Sequence, residues 1–316
     1  MPASRALPLA ALGGLAGALL YGAILTGNFG GYILFWMAPL PLFLVGLRLG
    51  TKAAALAGLV GTAGVALASP DLGLMFGATA GLPVLFLSWL AVSQPSERVA
   101  GRLVLALGGI GLLAFAIAYG LALDQEGGLL GATTQTIQDA VDWARTTVDQ
   151  VMPGSIQPSD LSGDEIAKAA VRIPGLFAAI WVALILGGNG ILAMGALARF
   201  GGALIPVPAM ASIAVPRLVS VALGAALVAA YAGQGEVAFI GTSLAEILSV
   251  PLLFVGLGVI HALLARHAAR ALLLSVFYAV LFGPAISLIV ALGVIEQWVG
   301  LRRRFIPAPA REKNDG

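Results

Sequence analysis

The chain has 316 residues, of which 59% are hydrophobic and only 10% charged, and its net charge is +2 at pH 7. Soluble proteins carry roughly 25% charged residues, so this composition cannot cover a water-facing surface and marks an integral membrane protein. The small net charge argues against a nucleic-acid surface, and the lack of any cysteine excludes a thiolate nucleophile, a disulfide and a cysteine-based metal site.

A helix needs ~20 mostly apolar residues to cross ~30 Å of hydrocarbon. In chain order, nine apolar blocks meet or approach that length: Ala6 to Thr26, Tyr32 to Leu47, Ala53 to Ser69, Leu72 to Val92, Leu103 to Leu123, Pro174 to Ala198, Leu218 to Ala232, Val237 to Ala265 and Ala271 to Val299. Such continuous runs are unlike the alternating ~10-residue strands of a membrane barrel. The expected fold is all-α: a polytopic, Gly-rich helix bundle of eight to ten transmembrane helices in one membrane domain. Within it, 1–123 hold the N-terminal helices, 124–170 an acidic external segment, 171–301 the C-terminal helices and 302–316 a basic, disordered tail. The first block is read as a span and not as a signal peptide, because no small-x-small cleavage site is followed by a polar mature start.

Lys and Arg in short loops set the orientation. Arg48 and Lys52, Arg98 and Arg102, Arg199 and Arg217, and Arg266 and Arg270 fall in alternate connections, whereas 27–31, Pro70-Asp71 and 233–236 carry no basic residue. The first set is expected in the cytoplasm, together with the N-terminus. A ninth full crossing would carry Arg302, Arg303 and Arg304 outside, against the rule. The interruption at Gly283-Pro284 offers a way for the last block to turn back.

Glycine occupies 42 of the 316 positions. Gly13 with Gly17, Gly77 with Gly81, and the trio Gly58, Gly61 and Gly64 place small residues on single helix faces, where two backbones can approach closely. Gly46 to Lys52 has the wrong spacing and residue order for a phosphate loop. The polar stretch 124–168 holds eight of the fifteen acidic residues. It contains an amphipathic helix through Ile137, Val141, Ala144, Val148 and Val151, with Thr133 or Thr134 as its cap and Pro153-Gly154 as its stop. Ser162 and Glu165 have capping-box spacing ahead of block six. This stretch is either a connector on the membrane rim or a lid over an outward-facing pocket.

Neither His261 nor His267 has a carboxylate at metal-motif spacing, and no Gly-x-Ser-x-Gly elbow occurs, so no enzyme activity, cofactor or metal is expected. Polar groups inside the apolar blocks then become the candidates. Thr242, Glu246 and Ser249 share one face of block eight, with a helix break prepared at Pro251. Glu246 can lie near the outer interface, line a polar cavity that binds a cation, proton or cationic group, or make a structural interhelix bond. Asn189, set among Gly187, Gly188 and Gly190, can bond another helix or a solute. His261 is read as interfacial beside Arg266, and Glu296 and Gln297 beside Trp298 as a helix end at headgroup level.

Arg199-Phe-Gly201, Pro206-Val-Pro-Ala-Met210, Pro251 to His261, Phe277-Tyr278, Gly293 to Trp298 and Arg302 to Phe305 together resemble the YybS-like family of bacterial integral membrane proteins of unknown function (domain of unknown function 2232). The family pattern carries an Asp where this chain has Glu296. The resemblance implies a distant similarity to substrate-capturing subunits of energy-coupling-factor transporters, which need a separate ATP-driven module, and it transfers no site residue. Two functions follow as expectations. One is a solute-capture or transporter subunit in the lipid bilayer, with Glu246 and Asn189 converging on one cavity and Gly13 and Gly17 offered to an energising partner. The other is a non-transporting scaffold for cell-envelope processes, whose uncharged loop from Phe200 to Pro216 docks a partner.

Overall fold

The computed structural model describes residues 3–93, 98–151, 163–265 and 267–305, and every regular element among them is helical. Helices satisfy their own backbone donors and acceptors, which is what a chain this apolar requires where water is absent. Six stretches are long and apolar enough to cross a bilayer: Ala6–Thr26, Phe29–Leu49, Pro70–Ser93, Val99–Leu121, Lys168–Phe200 and Glu236–Leu263. Two further blocks are apolar helices of 16 and 15 residues, or about 24 Å at 1.5 Å per residue, short of the ~30 Å hydrocarbon core. The last block is a pair of helices, Arg270–Val280 and Gly283–Val299, bent by 113°. Every apolar block is therefore helical, but six reach the length criterion and not eight to ten.

Chain contacts divide the molecule into two compact units. Unit 1 comprises 1–107, 182–217 and 251–316. Its first helix, α1 (Ala3–Gly22), packs on α3 (Pro39–Leu49) and α4 (Thr51–Ala66); α2 (Phe29–Trp36) precedes them, and α5 (Pro70–Phe76), a π turn and α6 (Leu82–Ser93) follow. Tyr21 is buried between Phe35 and Phe76, with ring centroids 4.7 and 5.1 Å away. The small-residue faces serve this packing: a Cβ on Gly13 would strike Val45, one on Gly17 would strike Leu42, and Gly58 backs on Gly81. Gly13 and Gly17 are thus covered by α3 of the same chain, which corrects the expectation that they face a partner subunit.

Unit 2 comprises 108–181 and 218–250. It takes the end of α7 (Val99–Leu121), α8 (Gly128–Val151), α9 (Gly163–Ile180), α11 (Leu218–Ala232) and the start of α12 (Glu236–Leu263). Phe115, Ala178, Phe239 and Ile247 form its core, with Leu129 and Leu130 packed against it. Helix α8 starts earlier than Thr133. The positive φ of Gly127 and Gly128 turns the chain there, and both threonine hydroxyls bond back to the carbonyls of Leu129 and Leu130 inside the helix. They are not caps. Pro153-Gly154 and Ser162 lie outside the described residues.

A candidate polar site on α12 and an ion-pair clasp

Glu246 sits within one of the six long apolar helices, on the polar face it shares with Thr242 and Ser249. Its partner comes from α9, where Arg172 Nε donates to Glu246 Oε1 at 3.3 Å. The pair is lopsided: the Arg172 side chain is 69% exposed and that of Glu246 15%. The Leu176 amide also faces the carboxylate, while Glu246 Oε2 is buried and makes no hydrogen bond. Ser243, fully buried one turn away, likewise has an unpartnered Oγ. An unmade hydrogen bond on a buried polar group costs about 1–3 kcal/mol, so two such oxygens together form a destabilised polar spot that a ligand donor or cation would relieve.

Gly175 permits this approach of α9 to α12. A Cβ there would strike Ser243 Cα and come within 2.8 Å of Glu246 Oε2 and 2.9 Å of Ser243 Cβ, so no other residue fits without the helices separating. The neighbouring hydroxyls are otherwise engaged: Thr242 Oγ1 donates to Ala238 O at 2.8 Å and Ser249 Oγ to Glu246 O at 2.6 Å. Both donors are spent on their own helix, leaving only lone pairs for a ligand. Helix α12 runs unbroken through Pro251, so the expected break does not occur. At the mouth of α12, Tyr119 donates its hydroxyl to Glu236 Oε1 at 2.6 Å, tying α7 to α12 within unit 2.

Asn189 lies in unit 1, where a π turn (Trp181–Gly188) leads into α10 (Asn189–Phe200). It is 3% exposed, and its Nδ2 donates to the carbonyls of Ile185 and Trp36, each at 2.7 Å. The Trp36 carbonyl needs this donor. Pro39 has no N–H, and the Leu40 amide bonds instead to Met37 O, so the break between α2 and α3 strands the carbonyl of Trp36. Asn189 therefore acts as an interhelical tie whose recorded partners all belong to unit 1, whereas Glu246, Thr242 and Ser249 belong to unit 2. We expect Asn189→Ala to lower the unfolding free energy by about 1–2 kcal/mol, read as an earlier thermal midpoint in detergent. An unchanged midpoint would show that water takes over both carbonyls.

Unit 1 also holds a polar clasp that sequence reasoning placed at the headgroup level. Helix α14 (Phe282–Val299) ends at Gly300, whose φ of 67° turns the chain into α15 (Leu301–Phe305). Arg302 then reaches back to Glu296, its Nε 2.8 Å from Oε1 and its backbone N–H 3.1 Å from Oε2. Arg302 Nη1 also donates to Ala211 O at 2.5 Å, Gln297 Nε2 donates to the carbonyls of Val215 and Pro216, and the Arg217 guanidinium lies 5.3 Å from the Trp298 ring. Glu296 lies in the last turn of α14, as expected of a helix end, and is buried there against protein. Residues 302–305 form a helix in place of the start of a disordered tail. The bend in the last block brings Arg302 beside the loop that carries Arg217, which removes the charge conflict of a ninth straight crossing. His261 is paired with the Tyr278 hydroxyl at 2.9 Å; Arg266 lies outside the described residues.

An all-helical chain with six candidate spans and broad exposed apolar faces, such as Leu67 at 91% and Tyr231 at 89% exposure, defines a polytopic membrane protein embedded in lipid. The chain belongs to the family described as Predicted membrane protein (DUF2232), which it matches over residues 18–296. No curated protein and no solved structure matches it.

Proposed function

We propose that the chain is a solute-binding membrane protein of transporter type, in which Glu246 receives a cation, a proton or the positive end of a solute in place of Arg172. The observation that supports this reading is the split carboxylate inside an apolar helix: Oε1 shared with a largely exposed guanidinium and Oε2 buried without a partner. A ligand that satisfied Oε2 and Ser243 Oγ would relieve two buried, unpartnered oxygens at one place, and Arg172, largely exposed, has room to swing away. No catalytic step or cofactor enters this reading. The six long spans and the two short helices would give eight crossings, within the eight to ten expected, with the bent pair returning to the side it left, in a bacterial inner membrane with the N-terminus cytoplasmic. Such a protein would take its energy from a separate module, as the capture subunits of energy-coupling-factor transporters do.

The test is the thermal midpoint of the protein in lipid nanodiscs against sodium, potassium, guanidinium, simple amines, amino acids, nucleobases and vitamins. At a ligand concentration 100 times its Kd, binding stabilises by about 2.7 kcal/mol, and Glu246→Gln should weaken the responding ligand at least about tenfold, since a neutral amide cannot balance a positive charge. If nothing shifts the wild-type midpoint, or if the Gln variant responds equally, the reading fails. A non-transporting scaffold is then favoured by a different observation: the loop after α10 is pinned by Arg302 and Gln297, yet leaves Phe200 82% and Leu204 51% exposed for a partner.

A further inference from the structure

The segment 201–217 of unit 1 forms a strap that closes over an apolar cavity. The positive φ of Gly201 and Gly202 takes the chain sharply out of α10, and Leu204 N–H then bonds to Leu47 O at 3.0 Å. Farther on, Met210 rests on Gly258 and Ala214 on Gly101, and the Arg302 and Gln297 bonds hold the rest. Beneath the strap lies a cavity of ≈140 Å³ whose walls include Leu47, Leu103, Leu107, Met194, Met210 and Phe254, and no residue lining it is polar. An apolar cavity of about 150 Å³ stays dry and accepts an apolar guest. This one is far too narrow for a helix of ~10 Å diameter.

Its surroundings are cationic. Arg48 follows Leu47 directly, and its guanidinium lies within about 3 Å of where a Cβ on Gly202 would stand. Arg102 precedes Leu103 on α7, Arg199 closes α10 beyond Met194, and Arg217 ends the strap. Arg48 and Arg199 are exposed and have no hydrogen-bond or ion-pair partner among the described residues. An apolar slot bordered by arginines, of which Arg48 and Arg199 lack a partner among the described residues, matches one molecule abundant at a membrane surface: a lipid with an apolar chain and an anionic head.

We propose that the cavity holds the end of one acyl chain of an anionic phospholipid, with the headgroup phosphate on Arg48 and Arg199. The chain would fill an apolar space that the strap covers on one side, and the phosphate would supply the counter-charge both guanidinium groups lack. This site is independent of the one at Glu246. Two arginines near an anionic surface correspond to a preference of roughly 30-fold over a zwitterionic lipid.

The experiment reconstitutes the full chain in phosphatidylcholine vesicles containing a phosphatidylglycerol with a diazirine near the acyl terminus, or the matching phosphatidylcholine probe, and maps crosslinks by mass spectrometry. The expected result is crosslinking concentrated on peptides bearing Leu103, Met194 and Met210, with the phosphatidylglycerol probe favoured about 30-fold. Leu103→Trp should abolish that label by filling the slot, and the R48Q/R199Q pair should bring the two probes to parity. Label spread evenly along lipid-facing helices, equal capture of both probes by the wild type, or displacement by free fatty acid as readily as by unlabelled phosphatidylglycerol would overturn the proposal. The wild-type probe comparison decides the matter even where L103W fails to fold.

Discussion

Arg302→Ala is expected to destabilise the protein by about 3–5 kcal/mol, the cost of leaving one member of a buried ion pair without its partner. The magnitude follows from what alanine removes, the Nε bond to Glu296 Oε1 and the Nη1 bond to Ala211 O, while the amide that meets Oε2 is kept. Both oxygens of Glu296, itself 8% exposed, are engaged by Arg302 at 2.8 and 3.1 Å. The same guanidinium also holds Ala211 O in the strap, so its removal frees the strap as well as stranding a carboxylate. Arg302→Lys should recover only part of the loss, because a point-like ammonium cannot reproduce a planar fork that reaches two acceptors. Arg304, two residues on and exposed, gives the control: Arg304→Ala should stay within about 0.5 kcal/mol. Thermal unfolding in detergent reads the ranking, and faster proteolysis between Phe200 and Pro216 reads the loosened strap. Equal midpoints for the Arg302 and Arg304 variants would mean the pair is solvated.

Valine at Gly256 or Gly293 should each cost about 1–3 kcal/mol or more, with the double variant costing less than their sum. These glycines meet across the crossing of α12 and α14 in unit 1. A Cβ on Gly256 would strike Ile289 O and one on Gly293 would strike Leu252 O, while Gly256 N stands 3.2 Å from the latter position. Backbone cannot rotate away as a side chain can, so the helices must separate. In a membrane, where close van der Waals packing and not water expulsion holds helices together, that separation forfeits contacts along the whole crossing. Once one valine has opened it, the second meets less resistance, hence the sub-additivity. Gly109, with nothing within 4 Å of its Cβ position, should accept alanine freely. Strictly additive losses would show that the two glycines do not share one crossing.

What could be read before folding was local. Each apolar block is helical because continuous hydrophobicity of that length allows little else in lipid, and Asn189 and Glu246 stood out as polar groups inside such blocks. What could not be read was non-local. Arg172 lies two residues before the apolar run of block six and is not singled out by the sequence; only the packing of α9 on α12 reveals that it faces Glu246. Ser243 gave no signal, since a serine in an apolar helix usually bonds its own backbone, as Ser249 does. Glu296 and Arg302 are six apart, a spacing that never places side chains together on one straight helix; the turn at Gly300 brings them together. Gly256 and Gly293 form a close approach with one glycine from each helix, so no small-xxx-small repeat announces it.

Infrared difference spectroscopy of the protein in lipid nanodiscs, recorded as a stabilising ligand is added, observes the Glu246 carboxylate directly. A solute site at Glu246 predicts a ligand-induced change in a carboxyl band that vanishes in Glu246→Gln and is altered in Arg172→Gln, because both variants change what the two oxygens meet. A spectrum without a carboxyl change on ligand addition, or one whose change persists in Glu246→Gln, would contradict it.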